Sequence, residues 1–497
     1  MKRIVIHASL HALFICITLN AVSQKKNAVI KDVVAEETIK SIDEKYTYYK
    51  ERALKIWEYA ELGFHETRST ALLQTTLREN EFAVQNNVAG MPTAFVATYG
   101  SGRPVIGLLA EFDALPGLSQ KAVPEKEKDA LRENGHGCGH HLFGVGSVAA
   151  AIELKEYLKK HKLSGTIKVY GTPAEEGGSG KVFMARDGLF EGTDIVMHWH
   201  PDNKNHANPY TSLANISVKF RFTGIAAHAS RYPEKGRSAL DAVEAMDFMA
   251  NMMREHMPPD ARMHYVITKG GSAPNVVPDF AEVYYYMRHN NREVLAGLFD
   301  RLTKIGEGAA MGTGTKMSYE ITGAVYDLLP NDVLSRIMYN NMVKVGGVKY
   351  TPEEILFAQK LQQTLFDSVK PDISGVYVIQ PYKDISEKTF SGGDNNSGGS
   401  TDVGDVSWVV PTVGLRAAAW PAGISSHSWQ STASGGTDIG IKGMFIAAKT
   451  LTLTGIDLLT HPDWVDNAKQ EWQKARGESF KYVPLIGNRK PALNYRD

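Results

Sequence analysis

Four side chains able to bind a metal lie within six residues, in His136-Gly137-Cys138-Gly139-His140-His141. The only other cysteine, Cys16, sits in an N-terminal segment with the layout of a cleavable signal. A mature chain would then hold one thiol, and no intramolecular disulfide explains it. A thiol flanked by imidazoles is a ligand for a borderline divalent metal; a buried structural cysteine among loop histidines is the alternative.

A second constellation is Glu175-Glu176, between Pro173-Ala174 and two glycines. Adjacent carboxylates repel, so burying both needs a cation or a raised pKa. With a metal present, one can ligate while the other takes the proton of a water, a division of labour that suits metal-assisted hydrolysis. A solvated loop tip is the alternative. His198 and His200 flank Trp199 at the end of an apolar run and face the same way in extended chain; either could ligate, or both could line a site. His427, in Ser425-Ser426-His427-Ser428-Trp429, is weak by itself. The run Gly144 to Ala149 matches a dinucleotide fingerprint but follows a His/Cys loop, not a strand, and is set aside. Neither a Gly-x-Ser-x-Gly elbow nor a His-Glu-x-x-His helix occurs.

These residues need elements to bring them together. The spacing predicts helix over 36–82, strands over 93–99 and 105–110, a helix from Leu142 to about Lys160, and strands over 166–171 and 194–197. Short apolar strands repeatedly end in acids or histidines. In open α/β sheets, sites gather at the carboxyl ends of strands. Asp113, the Cys138 loop, the glutamate pair and the His198/His200 pair are therefore expected to share one crevice. From about residue 213 the order becomes βαββαβ, a ferredoxin-like α+β unit. It is inserted, because α/β-like sequence resumes after it. The expected fold is thus α/β: a catalytic domain with a mixed, mainly parallel sheet flanked by helices (24–212 and 326–497) and a ferredoxin-like insertion (213–325). Ser391–Ser400, rich in Gly, Ser and Asn, reads as a functional loop, with a linker as the alternative. The Phe248, Met249, Met252, Met253 and Met257 stripe reads as core or subunit interface.

A chain of 497 residues suits two domains. Basic and acidic residues balance at 55 each, leaving no cationic excess for nucleic acid. Residues 1–23 read as a secretory signal: Lys2 and Arg3, an apolar run from about Ile4 to Leu19, then Ala21-Val22-Ser23. The expectation is an exported protein, periplasmic or extracellular, with a retained anchor as the alternative and no later stretch apolar enough to span a membrane.

Together these motifs resemble the co-catalytic metallopeptidases that include the aminoacylases, on the amidohydrolase branch with hippurate hydrolase and plant auxin-conjugate hydrolases. The segments Ser400–Ser407 and Trp199-His200-Pro201 point to the aminobenzoyl-glutamate hydrolase subgroup. The resemblance covers about residue 45 to near Pro484. It implies two divalent ions per subunit, Mn or Zn, on Cys138, His140, Glu176, His200 and His427. Cys138 stands where other branches carry a bridging Asp. His198 competes for the role of His200 and otherwise lines the substrate site. Glu175 matches the general base, and Asp113 the residue that orients a ligand or the base. In the insertion, a lid and dimerisation domain, His228 matches a histidine that reaches the partner's site. Asn275 and Arg288 match groups that hold a substrate carboxylate. The implied activity is hydrolysis of small N-acyl or N-aroyl amino acids by a homodimer. A dipeptidase, an aryl-amine deaminating hydrolase of the same family and a non-catalytic binding protein are the alternatives. Glu111 and His141 depart from the usual Asp and Asp/Asn, leaving metal identity open.

Overall fold

The computed structural model describes residues 33–384 and 399–496. The expected signal, Cys16 and most of Ser391–Ser400 lie outside the described residues.

Ten described strands form two sheets. The first holds β1 (Ala83–Asn86), β2 (Phe95–Ser101), β3 (Val105–Ala110), β4 (Gly165–Gly171), β5 (Ile195–Asp202) and, much later in the chain, β10 (Thr412–Ala418). Between them in sequence, β6 (Ala214–Thr223), β7 (Arg262–Lys269), β8 (Phe280–His289) and β9 (Lys316–Val325) build the second.

The first sheet runs β1-β2-β4-β3-β5-β10. The β4–β3, β3–β5 and β5–β10 pairs are parallel, and β1–β2 and β2–β4 are antiparallel. It is a mixed, mainly parallel sheet with flanking helices, as expected. Its central strands are apolar and buried because both faces are covered. The helix His140–His161 lies close on it: a Cβ on Gly144 would stand 2.6 Å from the Glu111 carbonyl oxygen, and one on Gly146 would stand 3.1 Å from the Trp199 ring. The second sheet runs β7-β8-β6-β9, all antiparallel, with helices Ala239–Arg254 and Arg292–Thr313 packed on it. Both helices start at side-chain caps: Ser238 accepts from the Asp241 N–H, and Asn291 from the Glu293 and Val294 N–H groups.

Four expectations change. The helix over 36–82 is interrupted: helices Tyr46–Tyr59 and Thr67–Glu79 are separated by a loop with Ala60 and Phe64 in the left-handed region. Glu61 in that loop accepts from the Arg68 and Ser69 amides, satisfying the open start of the second helix. The strand expected to stop at 197 continues to Asp202, because β10 pairs with it along its whole second half. His198 and His200 thus lie in the strand, not beyond it. β10 itself, apolar from Val413 to Ala418 except for Arg416, has no alternation to reveal it. Finally, Asp438–Thr460 is long and apolar enough to cross a membrane, contrary to the expectation; 89% of its most apolar window is buried, and it is a core helix.

Candidate active site

A cavity of about 590 Å³ opens at the carboxyl ends of β3, β4 and β5. Cys138, Glu175, Glu176, His198, His200 and His427 line it from one side, and Arg288 on β8 from the other.

Cys138 is the hub. Its Sγ stands 3.3 Å from Nε2 of His200 and 3.3 Å from Nε2 of His427. Ligand atoms of Cys138, His140 and His200 lie within 4.8 Å of one another; so do those of Cys138, Glu176 and His427, and of His140, Glu175 and Glu176. The thiol therefore belongs to two clusters. Local structure puts it there. Gly139, at φ 76°, brings the loop so close to β5 that a Cβ would lie 2.8 Å from Pro201 Cγ. The carbonyl of Gly137 accepts from the His427 N–H at 2.8 Å, tying the two loops together. Ser428 and Ser431 then form a capping box that starts the helix Trp429–Gly435.

The glutamate pair sits in a strained turn. Ala174 and Ser179, on either side, are left-handed non-glycine residues, as is His427. The buried Glu66 holds the turn: its Oε1 accepts from the Ala174 N–H at 2.9 Å and its Oε2 from Thr93 Oγ1 at 2.8 Å. Asp113 fixes two site residues at once. One oxygen accepts from His140 Nδ1 at 2.9 Å and the other from the Glu176 N–H at 2.9 Å. With Nδ1 held by Asp113, Nε2 is the ring nitrogen left to the clusters with Cys138, His200, Glu175 and Glu176. That atom lies 3.1 Å from Glu111 Oε2, and Glu176 Oε1 lies 3.1 Å from His427 Nε2. This convergence of thiol, imidazole and carboxylate ligand atoms fits divalent cations.

Electrostatics agree. Burial pushes the Glu175 carboxyl well up, and the charges of Glu111, Glu176 and Asp402 add to it. Burial opposes charge on His140, yet Cys138, Glu111 and Asp113 hold it well above the usual imidazole range. Hydrogen bonds to Cys138 and Glu176 push His427 up to about 11. Burial, with Arg416 nearby, holds His200 well down and His198 down to about 3.

The other members of the first histidine cluster do not join the site. His136 Nε2 meets the Ile56 carbonyl and His141 Nε2 the Gly435 carbonyl, both at 3.0 Å. Burial holds His136 well below its usual range and His141 at about 3, so both are neutral packing residues. Of the β5 pair, His200 belongs to a ligand cluster, whereas His198 packs against Gly414 and lines the cavity. His228 and Asn275 sit together on the insertion, joined by the His228–Val276 bridge and the bond from the Ala229 N–H to the Asn275 carbonyl. Both are outside the cavity and exposed.

Several residues escaped the sequence reading. Lys181 is fully buried and pairs with Glu111 Oε1 at 2.7 Å and Asp402 Oδ1 at 2.6 Å. Burial opposes its charge, but Asp402 and Glu111 hold its pKa above the ordinary lysine value. A lone lysine before Val182-Phe183-Met184-Ala185 was the available signal. Glu66 carried no local signal. Nor did the C-terminal Tyr495 and Arg496, which both donate to the Glu176 carbonyl.

Residues 212–310 match the M20 peptidase dimerisation domain. The B component of p-aminobenzoyl-glutamate hydrolase from Escherichia coli K12 is 38% identical over 460 residues, covering 89% of this chain and 96% of that protein. The Xaa-Arg dipeptidase of Homo sapiens is 29% identical over 447 residues, covering 86% and 89%. A solved Bacillus subtilis protein, described as a dinuclear metal-binding peptidase of the M20 family, shares the fold. Its TM-score is 0.53 at 16% identity, over 84% of this chain and 99% of that one. With a hydrolase of this kind matched along nearly its whole length and a peptidase dimerisation domain set between the halves of its α/β sheet, the chain belongs to the M20 peptidase family and is a hydrolase of amide or peptide bonds.

Proposed function

We propose that the protein is a metal-dependent amidohydrolase that cleaves N-acyl amino acids, N-aroyl ones of the aminobenzoyl-glutamate type among them. The observation that carries this reading is the place of Cys138 in two ligand clusters beside the Glu175-Glu176 pair. Cys138, His140 and His200 would hold one ion, and Cys138, Glu176 and His427 a second, with Mn or Zn as candidates. Bound ions supply Lewis acidity and make a water acidic enough to attack near neutral pH. Glu175 takes the proton of the attacking water at its carboxylate and returns it to the leaving nitrogen. Asp113 keeps His140 and the Glu176 backbone in place. Arg288 holds the carboxylate of the amino-acid half through its planar fork.

The same reading makes the protein a homodimer. His228 and Asn275 lie outside the cavity of their own subunit and would complete the site of the other. Phe248 and Met252, 65% and 55% exposed on the helix Ala239–Arg254, offer apolar surface for the contact. The layout of residues 1–23 supports export to the periplasm or beyond.

The test pairs metal analysis with one substitution. Reconstituted wild type should retain two equivalents of Mn or Zn and hydrolyse N-acyl amino acids. Glu175→Gln should keep the metal and lose about 10²–10⁴-fold in kcat. Near-wild-type turnover in that variant removes Glu175 from the base role, and a wild type that retains no metal defeats the whole reading.

A further inference from the structure

The segment after the helix Pro462–Arg476 contains neither helix nor strand over 477–496, yet it is fixed at successive points. The Tyr482 hydroxyl donates to Asp405 Oδ1 at 2.7 Å, and the Val483 carbonyl accepts from the Tyr326 hydroxyl at 2.6 Å. Further along, the Arg489 carbonyl accepts from Arg186 Nη1 at 2.7 Å, and the Arg489 guanidinium donates to the Thr322 carbonyl on β9. The segment is a strap that joins β9 of the insertion to the helices Val403–Val409 and Gly180–Arg186.

The tip of the strap reaches the glutamate turn. Tyr495 Oη donates to the Glu176 carbonyl at 3.0 Å, and Arg496 Nη2 donates to the same oxygen. The seat is shaped for them. A Cβ on Gly63 would lie 2.2 Å from Tyr495 Oη, so only glycine leaves room there. The Tyr495 ring meets Phe64 edge-on at 5.6 Å, and Arg496 lines the active-site cavity.

The turn needs such outside support. Glu176 lies at φ −71°, ψ 66°, off the helical range, and Gly177 follows at φ 95°. Within the turn, the Gly178 N–H donates to the Ala174 carbonyl at 3.0 Å. Glu66 accepts from the Ala174 N–H, and Asp113 from the Glu176 N–H. A residue held by its N–H alone can pivot about that bond. Gripping its carbonyl as well fixes the rigid peptide planes on both sides of its Cα, and with them the direction of its side chain. One of the two donors is a cation, which makes the stronger hydrogen bond. Strained backbone persists only where its surroundings over-determine it.

We propose that Tyr495 and Arg496 are positioning residues: by gripping the Glu176 carbonyl, the strap aims the Glu175 and Glu176 carboxylates at the ligand clusters. The inference rests on the metal-hydrolase reading and extends it to a segment more than 300 residues away in sequence.

The test uses the full chain reconstituted with Mn²⁺, with benzoylglycine as substrate. Tyr495→Phe/Arg496→Met should lose about 10- to 100-fold in kcat with KM nearly unchanged, the effect of a misplaced reacting group. After dialysis against a weak chelator it should retain one metal equivalent where wild type retains two, because the ion on Glu176 is loosened. Tyr495→Phe alone, which keeps the ring on Phe64, should give a severalfold loss. Tyr495→Phe/Arg496→Lys, with a cationic donor restored, should recover most of the turnover. Wild-type kcat and two retained equivalents in Tyr495→Phe/Arg496→Met overturn the proposal. So does a loss of kcat that tracks a lowered melting temperature and that Arg496→Lys does not recover, since a strap that only stabilises the fold behaves so. Hydrogen exchange of the peptide carrying Ala174–Ser179, on metal-free protein, reads the turn without any reaction. The bonded amides of Glu176 and Gly178 should exchange about tenfold faster in Tyr495→Phe/Arg496→Met, and equal exchange overturns the proposal. If wild type retains no metal and leaves benzoylglycine intact, the metal-hydrolase reading fails separately, and the exchange rates alone decide the role of the strap.

Discussion

Cys138 reaches two imidazoles with one sulfur, which is why a single substitution there should have a double effect. Because the thiol belongs to both ligand clusters, Cys138→Ser should loosen both metal equivalents together, whereas His200→Ala should loosen chiefly one. Elemental analysis after dialysis against a weak chelator distinguishes the two patterns. Another residue with a measurable signature is Asp405, fully buried between the Tyr326 N–H at 2.8 Å and the Tyr482 hydroxyl at 2.7 Å. Burial pushes its carboxyl up from 3.8 to about 7. The protonated form therefore favours the fold. Its stabilisation is complete below about pH 4 and lost as the pH rises through about 7, amounting to at most about 4 kcal/mol. Asp405→Asn should flatten that loss, so that its melting temperature gains on wild type between pH 5 and pH 8. At this scale the chemistry-bearing residues were legible from type and spacing. Cys138, His140, Glu175 and Glu176 announce themselves as clusters. His136 and His141 carry the same local signal, and only their carbonyl partners separate them from the ligands.

The Lys181–Glu111–Asp402 group joins three elements: the helix Gly180–Arg186, the segment after β3 and the segment before the helix Val403–Val409. It clamps the ends of these elements beside the Glu175 turn. Lys181→Met leaves two carboxylates buried without their cation and should destabilise the protein by about 3–5 kcal/mol in urea unfolding. Adding Glu111→Gln and Asp402→Asn should restore part of that stability, since the uncompensated charges are then gone. The strand periodicities of the insertion were readable where burial alternates, as along the second half of β6 and along β8. The interruption at Ala60 was not readable, because the apolar residues of the two helices keep similar spacing across it. β10 was missed for a related reason: a strand buried on both faces has no alternation.

At the scale of the whole molecule, the proposed dimer would complete each site with residues of the other subunit. If His228 and Asn275 complete a neighbour's site, mixing two inactive variants should revive activity. Glu175→Gln and His228→Ala, unfolded and reassembled together, form mixed dimers in which one of two sites is intact. Random pairing predicts recovery of roughly a quarter of wild-type turnover. Placing charge on the apolar face, as in Phe248→Glu/Met252→Glu, should yield monomers in sedimentation with activity lost in parallel. A fully active monomer would remove the shared site.

Residue types and spacing alone suggested metal-assisted hydrolysis, which the family resemblance narrowed to amides, and gave the alternation of strands with site residues and the βαββαβ order of the insertion, because these depend on chemistry and periodicity within short windows. Tertiary structure alone decided which histidines join the ligand clusters, that Lys181 and Glu66 support the site, and that a cationic compartment opens beside an acidic one. Those facts depend on pairings between residues tens to hundreds of positions apart, such as His427 with Gly137 and Arg416 with His200, which local periodicity does not encode.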